Sequence, residues 1–504
     1  MNKLTIIWVV CIGFSVKPLQ AQQIIIGSHD EDSLRTAQLA GQYNQNVSFV
    51  VRPLEIKPAE ISWKKVVVKA LPLTLITQFN SRRPFGWNDG AMIQARGLQV
   101  MGRVGIYARY GIFEMQTAPE WVYAANTSYD TSMNWGSNAG GVYNKMFPGQ
   151  SSLGIRLGAV SMGVSTQNLW WGPGQRSSLL MSNNAPGFLH VYIRSNRPAK
   201  TPIGTFEWQL IGARLDSDST RPYENFHLKI ARESYPSTWR YQSAFVISYQ
   251  PKWIPGLFVG MTRTLQRYQR DIGLSGGNWL KRYVPVLTKA FQKKNEPTDD
   301  VENTDQLASF FFRWVMPKSG WEFYGEWGYN DYKQNVRDYL MDATHSAAYI
   351  LGVNKLFQSG NSQLLVGIET LKQSETPSSL LRGAGNWYVH GGDNGYTHQN
   401  QIVGAGVGYG SDLISFRLKY QKNGSPWQLN MNCHRIQRDP IISKNKWVDM
   451  SYLFEPTYRM NNYLIRLSMN LISSKNVYWI GEKDKPNLSA GLQVSYILDK
   501  KRTL

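Results

Sequence analysis

The feature that most constrains this chain is a period of two. From Tyr463 to Leu471, the residues Tyr463, Ile465, Leu467, Met469 and Leu471 share one face of an extended strand, and Arg466, Ser468 and Asn470 share the other. Trp427, Leu429, Met431 and Cys433 oppose Gln428, Asn430, Asn432 and His434 in the same way. Ile414, Phe416, Leu418 and Tyr420 oppose Ser415, Arg417 and Lys419, and Phe206, Trp208 and Leu210 oppose Glu207 and Gln209. A strand that meets hydrocarbon on one side and water on the other must alternate like this, over the roughly 10 residues a membrane requires. The chain is 42% hydrophobic and 13% aromatic, yet its mean hydropathy is that of a polar protein, −0.37. Both values suit a barrel with two unlike faces. The predicted fold is all-β: a transmembrane antiparallel outer-membrane β-barrel of about 18 strands with a short periplasmic N-terminal segment.

The first 21 residues read as a secretory signal peptide. Lys3 supplies the charge, Leu4 to Val16 the apolar stretch, and Leu19-Gln20-Ala21 a small-residue cleavage site. Residues 22–63 form a periplasmic segment or a lumen plug, with a helical candidate from Asp30 to Leu39 that has an acidic first turn and a stop at Gly41. Residues 64–504 are the barrel. Strands start near Leu71, Gln99, Ile112, Ser152, Gly187, Pro202, Thr238, Gly256, Gln306, Ser319, Thr344, Asn361, Asn400, Asp412, Pro426, Lys446, Asn461 and Leu488. Short and long connections fail to alternate between 124 and 187 and between 400 and 446, so strand order stays open there. A second helical candidate, Val284 to Lys293, lies in a long charged connection.

Cys11 falls in the leader and Cys433 stands alone, so a closed sheet rather than a disulfide framework must hold the exported chain. The formal charge is +20, of which the leader's Lys3 and Lys17 carry two. In an exported chain this excess points to acidic polysaccharide or lipopolysaccharide phosphate, with no nucleic acid partner.

Between the fourth and fifth of these segments runs Asn168-Leu169-Trp170-Trp171-Gly172-Pro173-Gly174-Gln175-Arg176-Ser177-Ser178-Leu179-Leu180-Met181-Ser182-Asn183-Asn184-Ala185-Pro186-Gly187. This resembles the Wzi-type capsule assembly proteins of the outer membrane, in which a WWGPG-like turn leads into a serine-asparagine run. Tyr43 to Leu54, Phe85 to Ala91, Ala95-Arg96-Gly97 and Pro119-Glu120 match too. The resemblance implies an 18-stranded barrel that acts as a lectin, holding capsular polysaccharide at the cell surface. The chain departs from the pattern in two ways: its pre-barrel region is short for the helical bundle of some members, and its last strand runs on through Tyr496-Ile497-Leu498-Asp499 rather than closing on a terminal aromatic.

The same residues have a physical reading of their own. Trp170 and Trp171 beside Gly-Pro-Gly would display flat rings on which sugar C–H faces stack, while Arg176, Asn183 and Asn184 would bond hydroxyls or a uronate carboxylate. The competing reading makes both rings anchors of an inward loop or members of the interfacial belt. Arg82, Arg83, Trp87, Asn88, Asp89 and Arg96 form a second carbohydrate-binding candidate, or a lumen constriction held by Arg-Asp pairs. Alternation turns Arg103, Arg109, Arg194, Arg417, Lys419 and Arg466 inward.

No catalytic constellation emerges. Glu322 and Glu326 share a strand face but stand roughly 13 Å apart, too far for a glycosidase pair. His390, Asp393 and His398 are too loosely spaced for a metal site. The expected function is a non-enzymatic outer-membrane lectin for anionic capsular polysaccharide, with no cofactor. Its other partners would be membrane lipid, lipopolysaccharide and, during insertion, the barrel assembly machinery. The alternative is a porin or substrate-specific channel for anionic solutes.

Overall fold

The computed structural model describes residues 22–56, 66–129, 141–218, 239–275, 279–288, 304–330, 344, 346–374, 387–388, 395–438, 445–479 and 486–497. The leader, His390, Asp393 and the end of the second helical candidate lie outside them.

The alternating segments pair into one closed antiparallel barrel. Its strands are β1 (Val66–Ala70 and Leu73–Asn80), β2 (Gly97–Arg103 and Ile106–Tyr110), β3 (Phe113–Thr117 and Glu120–Ala124), β4 (Tyr143–Phe147 and Ser152–Leu157), β5 (Val160–Ser165), β6 (His190–Ser195 and Ala199–Thr201), β7 (Gly204–Leu215), β8 (Arg240–Pro251) and β9 (Leu257–Tyr268). They continue as β10 (Asp305–Met316), β11 (Trp321–Asn330), β12 (Ala347–Ser359), β13 (Ser362–Lys372), β14 (Asp412–Lys422), β15 (Trp427–Arg438), β16 (Trp447–Met460), β17 (Tyr463–Lys475) and β18 (Asn487–Tyr496). Five passes are interrupted once each, so the 23 hydrogen-bonded segments make 18 passes. β18 closes on β1, from Ser489 opposite Asn80 to Tyr496 opposite Leu73.

Two strand assignments change. Asn400 starts no barrel strand; Thr397–His398 and Gln401–Ile402 form a small hairpin whose buried Ile402 belongs to a hydrophobic cluster inside the barrel. The strand missing from the sequence reading is β5, only six residues long, between β4 and β6. With both corrected, short and long connections alternate strictly, and the short turns share a rim with both ends of the barrel. By the usual barrel asymmetry the long connections form the outer rim.

Four neighbouring strands break along one line, at Leu71-Pro72, Val104-Gly105, Ala118-Pro119 and Pro148–Ser151. Proline cannot donate to the ladder, and a Cβ on Gly105 would lie 2.5 Å from the Thr117 carbonyl oxygen, so the wall bends there.

Residues 22–56 fold across the inside. Helix α1 (His29–Leu39) begins at Ser28, whose Oγ accepts from the Glu31 amide at 3.3 Å, and carries Asp30, Glu31 and Asp32 in its first turn. Gly41, at φ +77°, follows its end. Barrel strands grip this segment from several sides. Asp32 pairs with Arg417 (2.8 Å) and Lys419 (2.7 Å) on β14, and Arg35 with Glu322 on β11 (2.9 Å). Glu322 also pairs with Arg313 on β10 at 2.6 Å, while Glu55 pairs with Arg156 (2.8 Å) on β4 and Arg194 (2.7 Å) on β6. The inward arginines are thus mostly neutralised rather than solvated. Replacing Ser28 by alanine removes the cap and is expected to cost the helix about 1 kcal/mol, read as faster amide exchange in its first turn.

Candidate functional site

Val51–Arg52 pairs antiparallel with Trp170–Trp171, so the N-terminal segment and the Trp-Trp turn form a two-stranded sheet within the barrel. The turn after it is bound to the wall by a carboxylate. Glu369, on β13, accepts the backbone amides of Gln175 (2.7 Å), Arg176 (2.9 Å) and Ser177 (2.9 Å), and the Tyr324 hydroxyl at 2.8 Å. Successive amides converging on one anion make a nest, here filled by the protein's own side chain. From the other side Arg52 donates to the carbonyls of Gly172 and Gly174, both at 3.0 Å, and Arg35 to that of Pro173 at 2.8 Å. Gly172 sits at φ +143°, and a Cβ there would lie 2.7 Å from a Glu326 carboxylate oxygen, which explains the glycine.

The two loops picked out by sequence meet. Asn88 Nδ2 donates to the Arg176 carbonyl (2.8 Å), Asn183 Nδ2 to the Asn88 carbonyl (2.9 Å), and the Gly90 amide to the Asn183 carbonyl (2.8 Å). Asn184 is buried, accepting from the Asn88 amide at 3.2 Å and donating to Ile402 at 3.0 Å.

The rings are not displayed. Trp171 is 0% exposed within the lumenal cluster that includes Leu179, Leu180, Trp387 and Tyr409. Trp170 is buried beneath the Arg52 guanidinium, which lies 4.6 Å from its ring centroid. Both therefore stand where the anchor reading put them, because the glycine-proline turn folds inward against the wall instead of projecting. Trp87 packs edge-on to His434 (5.2 Å) and Phe85 (5.8 Å). Arg83 pairs with Asp449 at 3.5 Å, and Arg96 donates to the carbonyls of Ser81 and Ser128. Arg82 is exposed at the rim.

Two cavities adjoin these loops. The larger, about 230 Å³, is lined by Asn88, Asp89, Asn183, Arg103, Glu120, Gln150 and Gln493 among others. The smaller, about 150 Å³, is lined by Trp170, Gln175, Arg176, Arg417, Asn430, Arg35 and Arg52 among others. Gly27, Ser28, Glu455 and Arg466 border both. Arg466 differs from the other inward cations: among the described residues no carboxylate or carbonyl is bonded to it. Burial and the Glu455 carboxylate push the Asp89 carboxyl up to about 7. Asp32 is held well below the usual range, since Arg417 and Lys419 outweigh its burial.

Sequence reasoning missed Glu369 and Arg52, which hold the turn, and Glu455, which joins the cavities. Glu369 was findable as an acid on an inward position between Ile368 and Thr370. Among the described residues no cluster fit for a metal ion occurs, and His398 Nδ1 accepts from the Asp216 amide at 3.0 Å.

The family model of capsule assembly protein Wzi matches residues 87–432. No curated protein matches the sequence. Among solved structures the chain is similar to Wzi of Escherichia coli, described as an outer membrane protein involved in group 1 capsule assembly and a carbohydrate binding β-barrel. The identity is 12% and the TM-score 0.62, over 95% of this chain and 100% of that one. OccK2 (OpdF) of Pseudomonas aeruginosa (10% identity, 85% and 97% coverage) and OccAB2 of Acinetobacter baumannii (9%, 86% and 98%) reach TM-scores of 0.44, too distant to bear on function.

Proposed function

Since the chain belongs to the capsule assembly protein Wzi family, we propose that it is an outer-membrane lectin that binds anionic capsular polysaccharide and retains it at the cell surface. The observation that carries this reading is the pair of cavities, one between the two predicted loops and one beside the Trp-Trp turn, with Arg466, bonded to no other described residue, bordering both. An unpaired guanidinium in a site lined by amides suits a uronate or other acidic sugar, which needs one charge-assisted bond and several neutral ones. Asn88, Asp89, Asn183 and Arg176 would supply the neutral and orienting contacts from the loops. Trp170, Trp171, Asn184, Trp87, Arg83 and Arg96 support the site from behind, and Arg82 meets the polymer at the rim.

Binding of this kind makes and breaks no covalent bond, so the protein acts without catalysis and without a cofactor. Export through the 1–21 leader, insertion by the barrel assembly machinery, and contact with outer-membrane lipid and lipopolysaccharide belong to the same reading. The channel alternative is less favoured, because the lumen between the described strands is crossed by residues 22–56 and by the Trp-Trp turn.

The test uses pH. Asp89 keeps its proton up to about 7, so the larger cavity gains a negative charge as pH rises through that value. Affinity of the detergent-folded barrel for an acidic oligosaccharide of the host capsule is expected to fall between roughly pH 6 and pH 8, and Asp89→Asn to flatten that fall. A neutral oligosaccharide should show no such response. Absence of acidic-oligosaccharide binding at every pH would sink the lectin reading.

A further inference from the structure

The two cavities differ in what their walls leave unsatisfied. Among the described residues lining the larger one, the buried side-chain atoms without a hydrogen-bond partner are Arg103 Nε and Asn88 Oδ1, one donor and one acceptor. On residues lining the smaller one they are Arg35 Nη1, Arg52 Nε, Trp170 Nε1 and Arg417 Nε, and each of these is an N–H donor. The carboxylates around the smaller cavity are already shared out. Asp32 serves both Arg417 and Lys419, Glu322 serves both Arg35 and Arg313, and Glu31 pairs with Arg52 at 2.7 Å. That leaves Glu455 facing two guanidiniums, Arg466 and Arg176. Among the described residues the Arg176 side chain is bonded only to the Asn432 amide oxygen. Burial and the neighbouring Arg417 hold the Arg176 guanidinium below its ordinary value, as expected of a cation short of counter-charge.

We propose that the smaller cavity is the seat of one compact oxyanion, taken up by Arg176 and Arg466, and that the sugar ring carrying it lies in the larger cavity. A wall whose unsatisfied groups are all donors favours a group that only accepts, such as a carboxylate or phosphate, which guanidiniums bind through paired N–H bonds. Ring hydroxyls both give and accept, and they suit the mixed wall of the larger cavity. Gly27 and Ser28, which border both cavities, have little or no side chain to keep the two apart. The ligand class is therefore a polymer whose repeat carries its acid on a group projecting from the ring. This division of the site rests on the saccharide reading for its sugar half, whereas the anion seat stands on the smaller cavity alone.

Inorganic phosphate and free glucuronate are the probes, titrated calorimetrically into the full-length, detergent-folded barrel. At least one of them should bind the wild type and compete with the acidic oligosaccharide, and the tighter of the two tells a phosphate seat from a carboxylate seat. Arg176→Gln should weaken that anion about tenfold, the loss of one charge-assisted contact. Trp170→Phe, which keeps an aromatic ring and removes one N–H, should weaken it about threefold. Binding of neither anion, or binding that both variants leave unchanged, overturns the proposal. Anion and acidic oligosaccharide binding together without competition overturns it as well. Anion binding that responds to the variants, in a barrel that takes no oligosaccharide, keeps the anion seat and removes the saccharide reading instead.

Discussion

Replacing Glu369 by alanine is expected to release the turn from Gly172 to Ser177 and abolish saccharide binding while leaving the 18-stranded wall closed. The carboxylate accepts three consecutive amides and a tyrosine hydroxyl inside the barrel. Its removal leaves two buried donors, the Ser177 amide and the Tyr324 hydroxyl, and two half-buried amides unsatisfied, at about 1–3 kcal/mol for each buried one and less for the others, so a loss of about 4 kcal/mol in the stability of the lumenal assembly is expected. Arg176 loses its anchored backbone, and the wall of the smaller cavity goes with it. Limited proteolysis within residues 172–187 and amide exchange of the same stretch report the release, while the far-ultraviolet spectrum should stay that of the intact barrel. Glu369→Gln keeps the size of the group but not its charge and should lose less. Unchanged protection of the turn in the alanine variant would show that Arg52 and Arg35 suffice to hold it.

Arg466→Gln is the second large effect and acts on binding rather than folding. Because this side chain is bonded to no other described residue, its loss orphans no buried carboxylate, and stability should change by less than about 1 kcal/mol. A charge-assisted bond to an acidic sugar contributes about 1.5–3 kcal/mol, so affinity for the acidic oligosaccharide should fall roughly ten- to hundredfold. Affinity for a neutral glycan should stay put. Equal losses for both glycans would mean that Arg466 shapes the cavity rather than pairing with a charge.

The barrel was legible because the membrane imposes period two on its passes, and Trp427 to His434 and Tyr463 to Leu471 show it without interruption. What escaped was short or lumenal. β5 has six residues from Val160 to Ser165, with only Val160, Met162 and Val164 facing outward, too little for alternation to stand out. The false strand at Asn400 arose because Ile402, Val403, Ala405 and Val407 are apolar for another reason, being buried against Leu179 and Tyr388 inside the barrel. Composition cannot separate an apolar run that faces lipid from one that faces a folded lumen.

The meeting of the two candidate loops was legible in part. Asn88, Asn183 and Arg176 were chosen on two segments far apart in sequence, and their hydrogen bonds join those segments. The rings of Trp170 and Trp171 had two readings, and their burial follows from partners that no local pattern reveals: Arg52, 118 residues before Trp170, and Glu369, 198 residues after Trp171. A carboxylate on the far wall turns an exposed-looking glycine-proline turn inward, and only the closed barrel brings it within reach.

The most direct test of the central claim is retention of the host's own capsular polysaccharide by the purified, detergent-folded barrel, compared with a neutral glycan, at low and high salt. The account predicts strong retention of the native polymer at low salt, weakening as salt screens the charge, and little retention of the neutral glycan. No retention of the native polymer, together with conductance of the barrel in a planar bilayer, would contradict it and make the protein a channel.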